Sequence, residues 1–439
     1  MTGAGPRVLL VAPPFSGHLN PLIVLAVGLR DRGLDPRFAT GPAMIEPLRR
    51  LGFCATALLA DRPDAFERIV NTPTPVRSNP VRLARQLAAN LALAPDVRAE
   101  LAALVDRDRP DVVLADMTAA VAGQVADDAG LPWLTVMPTP FALETRRGTP
   151  AYLGGWGAPR HAGHRLRDAA GRAATRAAKL SMQRVLASRF RAADLTVYRP
   201  DGSERAYSPH GILGLGMTEL ELPRDWPDAF EMIGPVTATP GPWAAAPDLP
   251  DGPCVLVTLG THLHWAKRDL MRHVRSLAGA LPDVTFLVSM GDPTRSAARP
   301  ALVAGNVVVH RHLPYDAVLP RCVAVVHHGG AGITYSTIRA GLPAVVCPHD
   351  YDQFDFAARV QAAGAGIAVR RLDRAAGALR DVMAADTEPV RRLAQAMAGY
   401  DPVSATERAV HRVLAPATRS PAAPAAASAA VRAVPDPPV

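Results

Sequence analysis

The chain has 439 residues, of which 49% are hydrophobic and 20% are charged, and its formal net charge is +8. This length allows two domains of ordinary size, and no run approaches the roughly 18 apolar residues that a membrane span needs. The positive charge could indicate a nucleic-acid partner, but only 5% of residues are aromatic and the arginines are not interleaved with them, so stacking platforms are scarce. We expect two domains, no nucleic-acid partner and no stable membrane insertion.

The N-terminus and the cysteines favour a cytoplasmic location. The opening run MTGAGPRVLLVAPP has one arginine and a short apolar stretch, which is too brief for a secretory signal peptide and lacks a small-residue cleavage site. The four cysteines show no metal or redox spacing and are interpreted as reduced thiols; they are Cys54, Cys254, Cys322 and Cys347.

The first predicted unit is a strand, a short loop and a helix. The strand covers residues 8–12, and the helix covers residues 22–32. Asn20 can cap this helix and Pro21 fits its first turn. The pattern therefore places His18 at the carboxyl edge of a strand, where it could act as a base or could only satisfy the N-terminus of a helix.

The next segments predict a parallel sheet with covering helices. Strands are expected at 34–40, 111–116 and 131–137, and helices at 80–93, 94–106 and 119–129. Asp116 ends its strand at the same sheet edge as His18. It can cap the helix that follows, and that role would not exclude another.

Two further segments complete the first half of the chain. Residues 160–191 form a basic helical pattern with a single acid, Asp168, which indicates a solvated helix face or a cationic face for a membrane surface or an anionic acceptor. Residues 231–236 predict a strand, and residues 237–253, dense in Pro, Gly and Ala, predict a linker.

The second half begins with a clear strand. Residues 254–258 are apolar and rich in valine, and Leu259-Gly260-Thr261 forms a glycine turn after them. His262 and His264 follow, and they could line a cleft or lie exposed in a loop. Further strands are expected at 284–289 and 307–310.

The most informative stretch is HHGGAGITYSTIRAGLPAVVCPHDYDQ, residues 327–353. A buried strand at 322–326 breaks at two histidines and a glycine loop, and a helix follows from Thr334. Strand, glycine turn and helix N-terminus form an anion cradle. The next strand, 344–347, delivers polar residues at its carboxyl end, where α/β sheets bind ligands.

This stretch resembles the nucleotide-sugar signature of the inverting, two-Rossmann glycosyltransferases that act on small molecules. The resemblance lies in the spacing of the histidine, the glycines and the closing Asp352-Gln353 pair. This family includes plant secondary-product UDP-glycosyltransferases and actinobacterial antibiotic and macrolide glycosyltransferases. The resemblance implies the GT-B fold, in which two doubly wound α/β domains face each other across a cleft and the C-terminal helix crosses back to the first domain. The domains expected are 1–236 for the acceptor and 254–390 for the nucleotide-sugar. Helices at 391–414 would return to the first domain, and 415–439 would be a disordered Ala/Pro-rich tail.

The same resemblance implies roles for individual residues. His18 would be the catalytic base and Asp116 its hydrogen-bonding partner. The donor-binding residues it implies are Gly17, Thr261, Leu313, His328, Gly330, Gly332, Ile333, Thr334, Ser336, Asp352 and Gln353. Among them the glycine loop would hold the diphosphate, the segment at Leu313 the nucleobase, and the Asp-Gln pair the sugar hydroxyls.

Two positions depart from the family pattern. Ile333 stands where most relatives have threonine, which keeps backbone contacts but removes a hydroxyl. Ser336 stands where UDP-sugar enzymes commonly carry a glutamate for the ribose hydroxyls. Since a deoxyribose has no 2′-hydroxyl, this change favours a dTDP-sugar over a UDP-sugar.

The reaction implied is inverting transfer of a sugar to a hydroxyl of a lipophilic acceptor, without a metal or other cofactor. Asp350-Tyr351-Asp352 spells the Asp-x-Asp that binds a metal in another glycosyltransferase fold, and we interpret the match as coincidental. A nucleotide-sugar epimerase and a non-catalytic nucleotide-sugar-binding protein stay open, as does a homodimer. A dinucleotide oxidoreductase is disfavoured because no Gly-x-Gly-x-x-Gly follows the first strand.

Overall fold

In a computed structural model of the protein, the residues described are 5–77, 79–237, 249–262, 264–292 and 299–415. Most of the predicted linker 237–253 and the predicted tail beyond Ala415 lie outside these residues. The described parts form two α/β units, each built on a seven-stranded sheet.

The first sheet is entirely parallel, as the apolar runs predicted. Its strands are β1 Arg7–Val11, β2 Asp35–Thr40, β3 Cys54–Ala57, β4 Val112–Asp116, β5 Trp133–Met137, β6 Ile212–Gly214 and β7 Phe230–Met232. They lie in the order β3-β2-β1-β4-β5-β6-β7. The strand order therefore reverses between β1 and β4, and ligands of open α/β sheets bind at such a switch point.

The helices of this domain include two short ones that the sequence did not predict, and two longer ones that depart clearly from their predicted bounds. They are α1 Ser16–Asp31, α2 Ile45–Arg50, α3 Ala65–Val70, α4 Pro80–Asp108, α5 Ala120–Asp128, α6 Ala162–Val185 and α7 Ala187–Ala192. The prediction that α1 starts at Leu22 with Asn20 as its cap was wrong. Phe15 is the N-cap, and Pro21 lies inside the helix. Leu19 is already fully buried, so packing of the apolar face extends the helix by more than a turn beyond what capping signals indicate.

The second difference is α4, which is one helix where two were predicted. It runs through Pro95, and Asn79 caps it by accepting hydrogen bonds from the backbone N–H groups of Val81 and Arg82 at 3.1 and 3.0 Å. Leu91 and Leu101 are buried on either side of the proline. Burial of that face offsets the missing backbone hydrogen bond.

The second sheet is parallel except at one edge. Its strands are β8 Cys254–Thr258, β9 Thr285–Ser289, β10 Leu302–Ala304, β11 Val307–His310, β12 Cys322–His327, β13 Ala344–Val346 and β14 Gly366–Ala368. The order is β10-β11-β9-β8-β12-β13-β14, and β10 pairs antiparallel with β11. A second switch point therefore lies between β8 and β12, where the glycine turns are.

The helices of the second half cover both faces of this sheet and then leave it. They are α8 His264–Lys267, α9 Leu270–Ala280, α10 Tyr315–Val318, α11 Ala331–Arg339, α12 Gln353–Ala362, α13 Ala375–Ala384, α14 Glu388–Met397 and α15 Pro402–Leu414. The return to the first domain is made by α15, whose Ala405, Ala409 and Val410 belong to the core that surrounds α1. Gly28 of α1 permits this approach, because a Cβ there would lie 2.4 Å from Cγ1 of Val403. α14 packs with Tyr335 and Ile338 of α11 in an apolar cluster that also includes Met217 and Leu220, so this helix contacts the first domain as well.

The two domains share a buried interface below the cleft. Phe141 and Met217 of the first domain lie in one apolar cluster with Phe356 of the second. Beside them, Nε of Arg359 donates to Oε2 of Glu221 at 3.0 Å, and both side chains are almost fully buried. These contacts fix how the carboxyl edges of the two sheets face each other.

The basic segment forms α6 and α7, as predicted, and part of its charge is neutralised within the domain. Arg176 lies 3.2 Å from a carboxylate oxygen of Glu144, and Nζ of Lys179 lies 2.7 Å from Glu144 and 2.5 Å from Glu204. Among the described residues, no helix combines the length and apolarity that crossing a bilayer requires.

Candidate active site

His18 and Asp116 meet at the switch point of the first sheet. His18 lies in the first turn of α1, directly after the loop that follows β1, and Asp116 is the last residue of the neighbouring β4. The ring Nδ1 of His18 lies 3.0 Å from both Oδ1 and Oδ2 of Asp116. Since a carboxylate only accepts, Nδ1 carries the proton and Nε2 is left as the basic nitrogen.

The environment of this pair favours the protonated imidazole. Burial lowers the pKa of His18, but the charge and the hydrogen bond of Asp116, with a smaller contribution from Asp352, leave the pKa raised above 6.5. Asp116 is itself held in place, since its Oδ1 accepts from the backbone N–H of Thr118 at 2.9 Å and from its hydroxyl at 2.5 Å. The arrangement can therefore accept a proton on Nε2 and stabilise the resulting charge.

Across the cleft, the second domain builds a glycine cradle at its own switch point. The backbone turns after β8 at Gly260, with φ +72°, and after β12 at Gly329, with φ +91°. The ring of His328 fills the space between the turns, because a Cβ on Gly260 would lie 2.7 Å from its Cε1 and a Cβ on Gly330 2.6 Å from its Nε2. Only glycine permits this close approach of backbone and imidazole.

Helix α11 starts at the edge of the cradle. Its first intrahelical hydrogen bond runs from the backbone N–H of Thr334 to the carbonyl of Gly330 at 3.0 Å. The N–H groups of residues 331–333 precede it and have no partner within the helix, as at any helix N-terminus. These donors and the helix dipole favour a bound anion such as a diphosphate.

The histidines of the cradle are neutral. Burial lowers the pKa of His327 to about 3, and its Nδ1 accepts from the backbone N–H of Gly329 at 3.0 Å. Burial likewise holds the pKa of His328 well below 6.5. His328 can therefore donate a hydrogen bond to a ligand without adding a charge.

The closing Asp-Gln pair lies after β13 and touches the other domain. Oδ2 of Asp352 accepts from the hydroxyl of Thr139 at 2.7 Å, and burial raises the pKa of this carboxyl group. Oε1 of Gln353 accepts from the backbone N–H groups of His349 and Asp350 at 2.9 and 3.1 Å. Gln353 thus fixes the loop that carries Asp352. The two hydrogen bonds use only its amide oxygen, so they do not occupy the N–H donors of its side-chain NH₂ group.

Asp350 and Asp352 of the Asp-x-Asp match are both engaged by the first domain. The carboxylate oxygens of Asp350 accept from the backbone N–H groups of Val76 and Arg77, both at 2.6 Å, and Asp352 accepts from Thr139 as above. The two carboxylates therefore have separate partners, and all of these partners belong to the first domain.

Comparison with known proteins matches residues 282–406 to the family described as "Erythromycin biosynthesis protein CIII-like, C-terminal domain". The chain is 30% identical over 380 residues to the L-demethylnoviosyl transferase of Streptomyces niveus, covering 83% of this chain and 85% of that one. It is 28% identical over 387 residues to the 4'-demethylrebeccamycin synthase of Lentzea aerocolonigenes, covering 84% and 88%. The chain belongs to the antibiotic glycosyltransferase family.

Solved structures agree on the fold of this glycosyltransferase. The kitacinnamycin glycotransferase superposes with a TM-score of 0.68 at 22% identity, covering 93% of this chain and 99% of that one. The spinosyn rhamnosyltransferase SpnG complexed with thymidine diphosphate superposes with a TM-score of 0.61 at 22% identity, covering 92% and 99%. The predicted GT-B fold and the predicted enzyme class are confirmed.

Apart from Asp352 and Gln353, the predicted donor-binding residues fall into two groups by position. One group lies at the cleft surface. Gly17 and Gly332 are exposed there, and Thr261, His328 and Gly330 are partly exposed. A Cβ on Gly17 or Gly332 would meet no atom within 4 Å, so neither glycine is required by protein packing. Their place in the cleft is consistent with the close approach of a ligand, and their roles stay predictions.

The other group is buried. The side chains of Leu313 and Ile333 lie in the same apolar core cluster, so any contact of these residues with the donor would be made by the backbone. Thr334 and Ser336 are 1% exposed, and the hydroxyl of Thr334 has no hydrogen-bond partner among the described residues. Ser336 therefore cannot extend to a ribose as a longer acidic side chain would.

Sequence reasoning missed the residues that join the two domains at the site. Thr139 follows β5 and anchors Asp352. Phe15, which caps α1, packs edge to face on His262 of the second domain at a centroid distance of 5.4 Å. Both lie in the loops that follow the carboxyl ends of parallel strands, β5 for Thr139 and β1 for Phe15, and this position is the signal that could have identified them.

Proposed function

We propose that this glycosyltransferase moves a deoxysugar from a dTDP-sugar to a hydroxyl group of a lipophilic natural product, with inversion at the anomeric carbon. The observation that carries the proposal is the His18–Asp116 pair, which is buried on the carboxylate side and leaves Nε2 free to act. Binding of a nucleotide-sugar without turnover does not require such a base opposite the donor cradle.

In the proposed step, the acceptor hydroxyl attacks the anomeric carbon from the face opposite the diphosphate. A bond forms between the acceptor oxygen and that carbon as the bond to the diphosphate oxygen breaks. The proton passes to Nε2 of His18, and Asp116 stabilises the imidazolium. The electron pair leaves with the diphosphate, which the amides of α11 and the ring of His328 would stabilise through hydrogen bonds.

Two observations support the donor and the acceptor. Ser336 in place of a glutamate favours a deoxyribose, and the structural neighbour SpnG is described in complex with thymidine diphosphate. Next to Asp116, Met117 packs against an apolar group that includes Leu143 and a stacked pair of Trp226 and Phe230. An apolar wall beside the base suits a lipophilic acceptor. Among the proteins named above, one is described as a 4'-demethylrebeccamycin synthase and another as a spinosyn rhamnosyltransferase.

We propose that no metal takes part, because Asp350 and Asp352 are held by donors of the first domain. Charge on the leaving diphosphate would then be stabilised by protein groups. Transfer should proceed at an unchanged rate in excess EDTA.

The test compares wild type with His18→Ala. Calorimetry with dTDP and UDP establishes which nucleotide binds, and turnover is followed with a matching sugar donor and a panel of polycyclic and macrolide aglycones. We expect the variant to bind the nucleotide within about twofold of wild type and to lose roughly 10²–10⁴-fold in turnover. If neither dTDP nor UDP binds, the donor assignment is refuted. If His18→Ala keeps full turnover, the assignment of His18 as the base is refuted.

A further inference from the structure

Lys267 brings an ammonium group to the nucleotide edge of the second sheet. It is the last residue of α8, which follows the glycine turn after β8. Its Nζ donates to the carbonyl of Thr261 at 3.2 Å, and a Cβ on Gly291 would lie 3.2 Å from the same Nζ. The ammonium group therefore lies between the turns that follow β8 and β9, on the same side of the sheet as the cradle at His328.

The surroundings of Lys267 do not compensate its charge fully. Burial lowers its pKa to about 8, and the opposing effect of the charge of Asp292 is smaller. His262 and His328 face it and are neutral, since burial lowers the pKa of His262 to about 4 and holds that of His328 well below 6.5. The charge of Lys267 contributes to lowering both values. A partly buried cation among neutral imidazoles is a site that an anion would stabilise.

The cradle beside it offers only neutral donors. The amides of α11 and the ring of His328 can hydrogen-bond a diphosphate, but they bring no full charge. A nucleoside diphosphate that spans from the turns after β8 and β9 to the start of α11 would place its phosphates within reach of Lys267.

We propose that Lys267 is a direct ligand of the donor diphosphate and supplies the positive charge of the phosphate subsite. This inference rests on the proposed function. Donor binding should then be coupled to a proton: a nearby dianion favours the ammonium form, so nucleotide affinity falls as the pH rises past about 8.

The first experiment measures binding of whichever of dTDP and UDP binds wild type more tightly, and of its nucleoside without phosphates. Lys267→Met should weaken the diphosphate about ten- to a hundredfold, as expected for a charge-assisted hydrogen bond, and leave the nucleoside unchanged. Arg275→Met, which removes a cation from the exposed face of α9 in the same domain, should change neither. Lys267→Arg should retain most of the affinity.

The second experiment repeats the titration between pH 7.5 and 9.5, where the phosphates are fully ionised and His262 and His328 are neutral. Wild-type affinity should fall by up to tenfold per pH unit above about 8. Lys267→Arg and Lys267→Met should both give flat profiles, the former tight and the latter weak.

The outcomes separate this inference from the proposed function. If wild type binds the diphosphate and Lys267→Met binds it equally well, Lys267 is not a ligand and the glycosyltransferase proposal stands. An equal loss of nucleoside and diphosphate affinity in Lys267→Met would indicate a structural role and would also overturn the inference. If neither nucleotide binds wild type, both proposals fail.

Discussion

Replacing Asp116 by asparagine tests the central feature of the site, the coupling between a buried carboxylate and the base. The substitution keeps the volume and removes the charge that lies 3.0 Å from Nδ1 of His18. At this distance and an effective dielectric constant of ~20, a unit charge pair is worth about 5.5 kcal/mol, and burial of the histidine cancels part of it. We expect turnover to fall roughly 10²–10⁴-fold, with nucleotide affinity unchanged.

The pH dependence gives a second readout of the same variant. In the proposed mechanism the neutral form of His18 is the base. Its pKa is raised above 6.5, so kcat/KM should rise with pH through a midpoint above 6.5 in wild type. In Asp116→Asn the effect of burial is no longer offset by Asp116, and the midpoint should move to lower pH.

The contribution of the His18–Asp116 pair to folding stability should fall as the pH rises, whereas kcat/KM should rise. Because the pKa of His18 is higher in the folded than in the unfolded protein, the pair adds stability that is fully present below pH 6.5 and is lost as the pH rises through the folded value. Urea denaturation should therefore show a larger loss for Asp116→Asn at pH 5.5 than at pH 8.5. A variant with wild-type turnover and an unshifted midpoint would refute the role of Asp116.

Two further variants test the cradle and the interface. Gly330→Ala places a Cβ 2.6 Å from Nε2 of His328, so the ring must move. We expect about tenfold weaker nucleotide binding with little change in melting temperature. Gly377→Ala, whose Cβ meets nothing within 4 Å, is the control and should bind the nucleotide normally. Arg359→Met leaves Glu221 buried and unpaired, which should lower the free energy of unfolding by about 3–5 kcal/mol. The double variant with Glu221→Gln should recover more than half of that loss in urea denaturation, and a double variant no more stable than the single one would contradict the assignment.

The elements that the sequence predicted well are those specified by local pattern. The apolar runs that became β1, β4, β8 and β12 are buried on both faces in a parallel sheet, so their signal is continuous and independent of distant residues. The glycine loop after β12 and the polar residues after β13 are also local. Their position at the carboxyl edge follows from the parallel arrangement alone.

The features that the sequence did not predict depend on packing between distant segments. The start of α1 at Ser16 follows from the burial of Leu19, which requires the finished core. The hydrogen bond between Thr139 and Asp352 joins residues 213 positions apart. No local pattern marks either residue as a partner of the other, so the closure of the cleft could be found only in the structure.

The histidines of the cleft show how burial and charge divide one residue type between two tasks. His18 and His328 each lie at the carboxyl edge of a sheet and both lose solvent on folding, which by itself lowers the pKa of an imidazole. His18 has a carboxylate in contact, contributed by a residue 98 positions away, and its pKa rises. His328 has other histidines and Lys267 as its charged or titratable neighbours, and its pKa falls further. These properties match the roles proposed for the two residues in inverting transfer. His18 would take the proton that the acceptor hydroxyl loses, and His328 would donate a hydrogen bond to the leaving diphosphate.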